Sequence, residues 1–480
     1  MLFNSYEFLL VFLPVVWLLF YGSARYSHRV ALGVLTLASL VFYGWWNPKL
    51  LWLLLASAAG NFLVGRALAR AVAQPAGQAL ASRLLTAAVV ANLLLLCWYK
   101  YTNFLIGTAN TLLHQQWPLV ANLVLPLGIS FFTFTQIAYL VDIRRGHARE
   151  ADPLRYLLFV TYFPHLIAGP VIHHQQMMPQ FALPSTFVPQ RERLQSGLAI
   201  FALGLFKKVV IADHLALVAN PVFDGAVHTA PTPAMAWVGA LAYALQLYFD
   251  FSGYSDMAIG LSRLFNVELP INFNSPYRAR NLIDFWRRWH ITLSTFLRDY
   301  LYFALGGNRH GTVRRFVNLF TTMFLGGLWH GASWNFAFWG ALHGLGLIVN
   351  HGWRSAVERW KLPDPFKLPG SGRLLTFVFV VIAWVPFRAA DLATTQRVWS
   401  AMASTSGWHV PVDDPRALPW LLLCLAGAWW LPNSVDWVDG RGWQRLAWRP
   451  TVAWGAAMGL LAGVAVTFFT RNSPFLYYQF

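Results

Sequence analysis

The chain has 480 residues, of which hydrophobic residues make up 57% and charged residues only 11%. A soluble domain carries roughly 25% charged residues, so the composition excludes an ordinary water-soluble protein and indicates an integral membrane protein. The net charge of +17 does not predict nucleic-acid binding, because the basic residues are scattered through loops, where membrane topology and anionic lipid account for them. An anionic substrate near one dense arginine cluster is also compatible with this charge.

Apolar stretches recur along the whole chain, and a membrane-spanning helix needs about 20 such residues. They predict an all-α, polytopic membrane helix bundle with about eleven to thirteen membrane segments, organised as a single domain over residues 1–480. The candidate segments are Phe8–Tyr21, Val30–Trp46, Leu50–Val64, Leu84–Trp98, Leu119–Val141, Pro153–Ile172, Leu198–Val218, Ala234–Tyr248, Phe316–Trp329, Ala337–Val349, Leu374–Phe387, Leu418–Leu431 and Val452–Phe469.

The first segment is expected to stay uncleaved, because no Lys or Arg precedes it and a signal peptide begins with basic residues. Arg25 and Arg29 follow this segment. The positive-inside rule then places the N-terminus outside. Lys207 and Lys208 are predicted to be ordinary interfacial anchors.

Two stretches predict irregular backbone at membrane depth. LPLGIS (Leu125–Ser130) contains the proline and glycine of a kink, and YFPHLIAGP (Tyr162–Pro170) contains two prolines and a glycine around His165. Proline interrupts helices, and irregular backbone within a membrane is tolerated where it lines a cavity. We therefore expect a broken or re-entrant segment beside a functional site.

Polar residues are concentrated between Phe249 and His343. Asp250 and Asp256 resemble a pair of metal ligands, but no His or third carboxylate completes the ligand set. We therefore predict no metal site and expect these carboxylates to pair with arginines or to cap helices.

The stretch Asp284–Asp299 predicts a steep amphipathic helix that is too polar to span a bilayer and lies at the interface or along a polar cavity. Two interpretations are open. The arginines contact lipid phosphates, or they bind substrate phosphates through their bidentate guanidinium groups, with the aspartates orienting them. The residues that share the polar side are Asp284, Arg287, Arg288, His290, Ser294, Thr295, Arg298 and Asp299.

His330 follows an apolar stretch without charges and precedes another without acids, Lys or Arg, Gly331–Asn350. Burial favours a neutral imidazole, which can accept a proton. Ser333 and Asn335 are candidates to fix its tautomer, and Trp329 adjoins it. A core histidine bonded to a backbone carbonyl is an equally good interpretation from position alone, and His343 is expected to be mainly structural.

Taken together, these blocks resemble the membrane-bound O-acyltransferase family, and most of all its bacterial AlgI-type members, which serve O-acetylation of alginate and other exopolysaccharides. The core of the resemblance spans about residues 125–344. The joint presence of RRWH and GLWHG makes it specific. The matching segments are LPLGISFFTF at Leu125–Phe134, FPHLIAGPV at Phe163–Val171, LYFDFSGYSDMAIGL at Leu247–Leu261, DFWRRWHITLSTFLRDYLY at Asp284–Tyr302, LGGNR at Leu305–Arg309 and LGGLWHGASWNF at Leu325–Phe336.

The resemblance implies a helical bundle with re-entrant and interfacial helices around a central tunnel. It places the family's catalytic histidine on His330 and its second histidine on His290. It implies acetyl-CoA as the cytosolic donor, no permanently bound cofactor, and transfer of acetyl across the bacterial inner membrane to a periplasmic SGNH-type acetyltransferase that acts on an exopolysaccharide. Arg287, Arg288, Arg298, Asp284, Ser294, Asn335 and Trp329 are candidates for the donor site.

Two alternatives are open. Within the family, the acyl group could be D-alanyl transferred to teichoic acid, or a longer chain transferred to a lipid or peptide. Outside it, intramembrane His and Asp residues also suit a proton-coupled transporter. Whether His330 acts as a general base or carries the acetyl group covalently is not decided by the sequence.

Overall fold

The computed structural model describes residues 1–148, 152–364, 366, 368–408, 417–443, 446–469 and 475–476, and its regular elements are helices throughout these ranges. The all-α prediction is confirmed. The chain divides into two compact units, one formed by residues 1–202, 255–270 and 450–460 and the other by residues 203–254, 271–449 and 461–480. The chain enters both units more than once, and a single domain over the whole chain stays a prediction.

The first unit contains the N-terminal helices. A π-helical turn, Glu7–Phe12, leads into the first of them. Their bounds are α1 Leu13–Ala24, α2 His28–Gly44, α3 Leu51–Ala73, α4 Gln78–Leu113, α5 Ile129–Arg144, α6 Pro153–Thr161 and α7 His174–Met177. Two further helices pass from one unit into the other along the chain, α8 Arg191–Phe206 and α10 Pro233–Leu264, and α9 Asp213–Gly225 lies between them in sequence.

The second unit contains most of the remaining helices. They are α11 Leu282–Trp286, α12 Ile291–Phe296, α13 Gly311–His330, α14 Trp334–Trp360, α15 Ser371–Arg388, α16 Leu392–Ala403, α17 Ala417–Trp430 and α18 Ser434–Val438. The last helix, α19 Val452–Thr467, begins in the first unit and ends in the second. A π-helical segment, Leu297–Tyr302, continues α12.

Five helical stretches in the described part of the chain are long and apolar enough to cross a membrane: Glu7–Ala24, Pro48–Ala73, Pro75–Leu113, Arg191–Gly225 and Ser371–Arg388. Three shorter apolar helices, α2, α17 and α19, add to these. Outward-facing leucines and valines on these helices, such as Leu18, Leu63 and Val452, suit contact with lipid. The membrane protein prediction is confirmed, whereas the number of crossings and the central tunnel stay predictions.

Helices α13 and α14 form an antiparallel hairpin joined by only three residues, Gly331–Ser333. The glycines of the LGGLWHG segment make this close packing possible, because a methyl group on Gly327 would lie 2.9 Å from Cα of Gly340. Gly344 faces Phe320 in the same way, one turn further from the hairpin's tip. The hairpin holds His330 at the end of α13, against residues of α14 and α15.

A buried ion cluster corrects one expectation. Lys208 is not an interfacial anchor: its side chain is 1% exposed, and its Nζ lies 2.8 Å from Oδ1 of Asp213 and 2.7 Å from Oδ1 of Asp250. The other Asp250 oxygen accepts a hydrogen bond from the backbone N–H of Leu476 at 3.1 Å. A buried charge needs a partner, so a lysine this deep is held by Asp213 and by Asp250, one of the two carboxylates that the sequence had suggested as a metal pair. Ion pairing of Asp250 is confirmed, with a lysine in place of the expected arginine.

Candidate active site

His330 is the last residue of α13 and is 4% exposed. Its ring lies among aromatic side chains from three helices. The ring of Trp339 on α14 stands perpendicular to it at a centroid distance of 5.2 Å, and Phe387 on α15 lies at the same distance. The neighbouring Trp329 ring lies at 5.0 Å. His330 is therefore buried against aromatic side chains of its own helix, α14 and α15.

His290 lies between α11 and α12 with a left-handed backbone, φ 42° and ψ 54°. A non-glycine residue rarely adopts this conformation, and it marks a sharp local break. The break is stabilised by Asn272, whose backbone oxygen accepts from the N–H of Ile291 at 2.9 Å and whose Oδ1 accepts from the N–H of Thr292 at 3.3 Å. His290 is completely buried as a result.

The same Asn272 oxygen fixes the tautomer of His290. Oδ1 receives the backbone N–H and the hydroxyl of Thr292, so it is an acceptor and must be the amide oxygen. Nδ1 of His290 lies 3.1 Å from it and must therefore donate, which leaves the lone pair on Nε2. Burial lowers the pKa of His290 to about 3. The ring is thus neutral at physiological pH, with its basic nitrogen at Nε2.

The two histidines are neighbours although 40 positions separate them in the sequence. Their ring centroids lie 6.4 Å apart with the planes inclined by 58°. The ring of Trp329 is close to both histidines, with its centroid 5.0 Å from that of His330 and 6.2 Å from that of His290. Phe251 packs against the far side of the His290 ring at 4.7 Å. A pair of buried imidazoles in an aromatic enclosure can accept, hold and release a proton or an acyl group away from water.

The prediction of one continuous amphipathic helix over Asp284–Asp299 is wrong. The segment is divided into α11, a turn, α12 and the π-helical segment that follows it. The left-handed His290 shifts the register, so residues before and after it do not share one helical face. This is why His290, placed by the helical wheel at the edge of a polar arc, lies instead in the core.

The arginines and aspartates of this segment form two pairs. Nε of Arg288 donates to Oδ1 of Asp284 at 2.8 Å. Arg298 binds the carboxylate of Asp299 with two nitrogens: Nε donates to Oδ1 at 2.7 Å and Nη2 donates to Oδ2 at 3.0 Å. Both aspartates therefore orient arginines, as expected. Arg287 is exposed and has no ion pair within the part of the chain that the structure describes. Binding of donor phosphates by the arginines stays a prediction.

The remaining candidates have defined positions. Ser294 is half-buried and donates its hydroxyl to the backbone oxygen of Trp289 at 3.3 Å. Asn335 is buried and its amide donates to the oxygen of Ala389 at 2.8 Å, while Oγ of Ser333 accepts from the N–H of Asn335 and caps α14. These bonds join the start of α14 to the end of α15, which positions the wall around His330.

His343 occupies the core next to this enclosure. It is fully buried and its Nδ1 accepts from Nε1 of Trp286 at 3.3 Å. Trp339 lies between the two regions, 4.8 Å from the His343 ring and 5.2 Å from that of His330. This packing agrees with a mainly structural role for His343.

Sequence reasoning missed Asn272, Trp339 and Phe387. Asn272 stands in an extended loop, INFNSP, with no periodicity to draw attention to it. Its partner in space is 18 positions away, and only the tertiary structure brings the two together. The signal that could have found it is an asparagine beside apolar residues in this loop, since a buried amide that accepts several bonds commonly fixes a loop.

The two irregular stretches predicted from proline and glycine belong to the first unit. Gly128 has a left-handed φ of 71° and approaches the backbone oxygen of Leu166, while α6 ends at Thr161 and no helix begins before His174. Nε2 of His165 lies 3.0 Å from the oxygen of Phe159. The broken segment is confirmed; its place beside the active site stays a prediction.

Comparison with known proteins defines the class. A buried histidine pair in an all-helical membrane protein is compatible with acyl transfer, and the sequence profile described as "MBOAT, membrane-bound O-acyltransferase family" matches residues 40–388. The chain therefore belongs to the membrane-bound O-acyltransferase family and is an acyltransferase. The transporter alternative is not retained.

Three relatives illustrate the range of the family. The chain is 42% identical to a peptidoglycan O-acetyltransferase of Helicobacter pylori, over 85% of this chain and 80% of that protein. It is also 42% identical to a probable alginate O-acetylase, AlgI, of Pseudomonas aeruginosa, over 85% and 76%. A teichoic acid D-alanyltransferase of Streptococcus thermophilus is 29% identical over 54% of this chain and 68% of that protein.

Proposed function

We propose that the chain takes an acetyl group from acetyl-CoA on the cytosolic side of the bacterial inner membrane and passes it outward for O-acetylation of an exopolysaccharide such as alginate. A periplasmic SGNH-type acetyltransferase would receive the group, and the N-terminus would be periplasmic. The observation that carries the proposal is the buried pair of His290 and His330, 6.4 Å apart in an apolar enclosure. The similarity to two proteins named for O-acetylation supports acetyl as the group transferred.

In this proposal His330 performs the chemistry. In one route its imidazole removes the proton from an acceptor hydroxyl as that oxygen attacks the thioester, and passes the proton to the departing thiolate of CoA. In the other route its nitrogen attacks the thioester carbonyl and expels the thiolate of CoA, giving an acetyl-imidazolium. The acceptor hydroxyl then attacks that acetyl group, the ring is released as neutral imidazole, and the hydroxyl proton goes to the thiolate. His290 would hold the reacting group or the proton through Nε2, since Nδ1 is engaged by Asn272. Both routes need a site without water, because water would hydrolyse the thioester or the acetyl-imidazole.

The test is the acetyl content of the extracellular polysaccharide in a strain that carries His330→Gln, a change that keeps a polar side chain of similar size. Loss of acetylation at unchanged membrane levels of the protein supports the proposal. His228→Gln, at an exposed histidine in the same unit, is the matched control and should leave acetylation unchanged. Normal acetylation with His330→Gln would refute the assignment of His330.

Peptidoglycan is a second candidate acceptor, because the relative named for peptidoglycan matches this chain as closely as the alginate relative does. Measuring acetyl esters separately on purified peptidoglycan and on secreted polysaccharide distinguishes the two. The D-alanyl alternative rests on a more distant relative that covers 54% of the chain. Purified protein incubated with acetyl-, D-alanyl- and long-chain thioesters tests it: a strong preference for a group other than acetyl would overturn the proposal.

A further inference from the structure

An apolar cavity of about 560 Å³ lies between α11, α14 and α15, within the size range of roughly 300–1,000 Å³ typical of ligand sites. Three of its wall residues are large hydrophobic side chains that are well exposed, Leu345 at 53%, Val349 at 68% and Leu375 at 48%. The cavity therefore opens on the outer, apolar surface of these helices. In a membrane protein such a surface faces lipid.

A second cavity, of about 480 Å³, shares a wall with the first. Phe366 lines both, and the second cavity is further lined by Arg280 and Arg373. Both arginines are exposed, and neither forms an ion pair within the ranges that the structure describes. An apolar cavity and a cationic one thus adjoin each other across a single phenylalanine.

The backbone around these arginines is closely packed. Gly372, next to Arg373, lies close to two other segments: a methyl group on it would be 2.6 Å from the oxygen of Arg280, which precedes α11, and 3.0 Å from that of Phe366 in the loop before α15. Asp364 fixes the shared wall, since its Oδ1 accepts from the N–H of Phe366 at 3.1 Å and from Nε1 of Trp353 at 3.2 Å. The carboxylate of Asp364 is engaged in holding the wall, and the guanidinium groups of Arg280 and Arg373 supply positive charge to the second cavity.

The sequence of α14 places the border between the two cavities at the level of a membrane interface. The helix has no Asp, Glu, Lys or Arg from Ala337 to Val349, whereas Arg354, Glu358 and Arg359 follow Asn350. Trp353 lies at this change, where tryptophan is enriched in membrane proteins. Three further guanidinium groups, those of Arg287, Arg315 and Arg354, lie within electrostatic range of His351 on the same helix. Positive charge therefore accumulates where a phospholipid headgroup would lie.

We propose that the two cavities together bind one anionic phospholipid, with an acyl chain in the apolar cavity and the headgroup phosphate between Arg280 and Arg373. Apolar surface on one side and paired cations on the other match the two halves of such a lipid, and a zwitterionic lipid has less to gain from the cations. Leu282 lines the apolar cavity and begins α11, the helix that leads to His290. Occupancy would stabilise this segment, because a ligand that binds the folded state stabilises it.

The experiment uses the full chain, purified in detergent and depleted of lipid. Native mass spectrometry and thermal unfolding are recorded with phosphatidylglycerol, with phosphatidylcholine of the same acyl chains, and with inorganic phosphate alone. We expect retained phosphatidylglycerol adducts and a raised melting temperature with that lipid only. Equal retention of both lipids would overturn the proposal, and so would an equal effect of inorganic phosphate, which would indicate a site for free phosphate.

Variants locate the site. Arg280→Ala and Arg373→Ala should each weaken phosphatidylglycerol binding roughly fivefold, since one basic residue near a membrane contributes about that factor. Val349→Trp, which fills the open end of the apolar cavity, should weaken it as well. Arg70→Ala, at an exposed arginine on α3, is the control and should have no effect. Unchanged affinity in the Arg280→Ala/Arg373→Ala double variant, or in Val349→Trp, would place the lipid elsewhere. All the substituted side chains are exposed, so folding of the variants is expected.

Discussion

Asn272 offers the sharpest test of how the site is built. Its Oδ1 accepts from Nδ1 of His290 at 3.1 Å, from the N–H of Thr292 at 3.3 Å and from the Thr292 hydroxyl at 2.9 Å. Asn272→Leu keeps the size of the side chain and removes this acceptor from a fully buried position. Three buried donors then lose their partner, each at a cost of about 1 kcal/mol or more. We expect the folded state to lose about 3 kcal/mol.

The same change should reduce activity for a separate reason. Without the acceptor, nothing holds the proton of His290 on Nδ1, and a preference of about 1.4 kcal/mol for that tautomer would be worth a factor of ten in rate. We expect at least a tenfold lower acetyl transfer per folded molecule, measured as acetyl ester formed by purified protein after unfolding curves have established the folded fraction. Thr292→Val is the matched control. It removes one of the three donors, should cost about 1 kcal/mol of stability, and should leave the tautomer and the rate unchanged.

Two outcomes would refute this reasoning. If Asn272→Leu transfers acetyl at the normal rate per folded molecule, the tautomer of His290 has no part in the reaction. If Thr292→Val lowers the rate as much as Asn272→Leu, the effect comes from the general shape of the loop. Asn272→Asp adds a third point, because it retains an acceptor oxygen and should preserve the Nδ1–H tautomer.

Further predictions follow from the packing and burial. Gly340→Ala should destabilise the α13–α14 hairpin by about 1–3 kcal/mol through overpacking. Gly352→Ala, on the same helix with open space around it, should be neutral or slightly stabilising. Thermal unfolding of both variants checks this, and equal melting temperatures would contradict it. Lys208→Met should lower the free energy of unfolding by about 3–5 kcal/mol, because it leaves two buried carboxylates without their cation. The yield of folded protein after detergent extraction reports this loss. Lys207→Met is the control and should fold normally. Because burial lowers the pKa of His290 to about 3, the folded chain lacks a proton that the unfolded chain, with an ordinary pKa of about 6.5, binds between these two values. Stability should therefore fall as the pH drops from about 6.5 toward 3, and His290→Gln should lessen this slope by up to one proton; an identical slope would contradict the prediction.

The sequence predicts the fold class and the hairpin around His330 well, and the reason is physical. The chain has too few charged residues to cover a soluble surface, and its glycines are spaced so that helices can approach. Both properties can be read from the sequence, because neither depends on which distant residues come together on folding. Gly327 and Gly340 lie where α13 and α14 approach each other most closely, and both belong to the glycine-rich stretch that is visible in the sequence. His330 is buried because the residues on both sides of it are apolar, and apolar sequence is visible without a structure.

The other half of the site could not be predicted in detail. The helical wheel assumes one continuous helix, and His290 interrupts it with a left-handed conformation that hydrogen bonds to Asn272 help to stabilise. The depth of Lys208 is hidden for the same reason, since Asp250 lies 42 positions away in the sequence. In both cases a polar group is buried by a partner that is distant along the chain, and local pattern carries no information about such partners.

The position of His330 as the last residue of α13 has an electrical consequence. The aligned peptide dipoles of a helix give its C-terminal end a partial negative charge, equivalent to roughly half an elementary charge. Both proposed routes place positive charge on the His330 ring, either as an imidazolium or as an acetyl-imidazolium. The 20-residue α13 therefore points its negative end at the group that becomes cationic, and stabilisation of about 0.3–2 kcal/mol is usual for a cation so placed. Among the aromatic rings that surround His330, the backbone of the helix itself takes the place of a counter-ion.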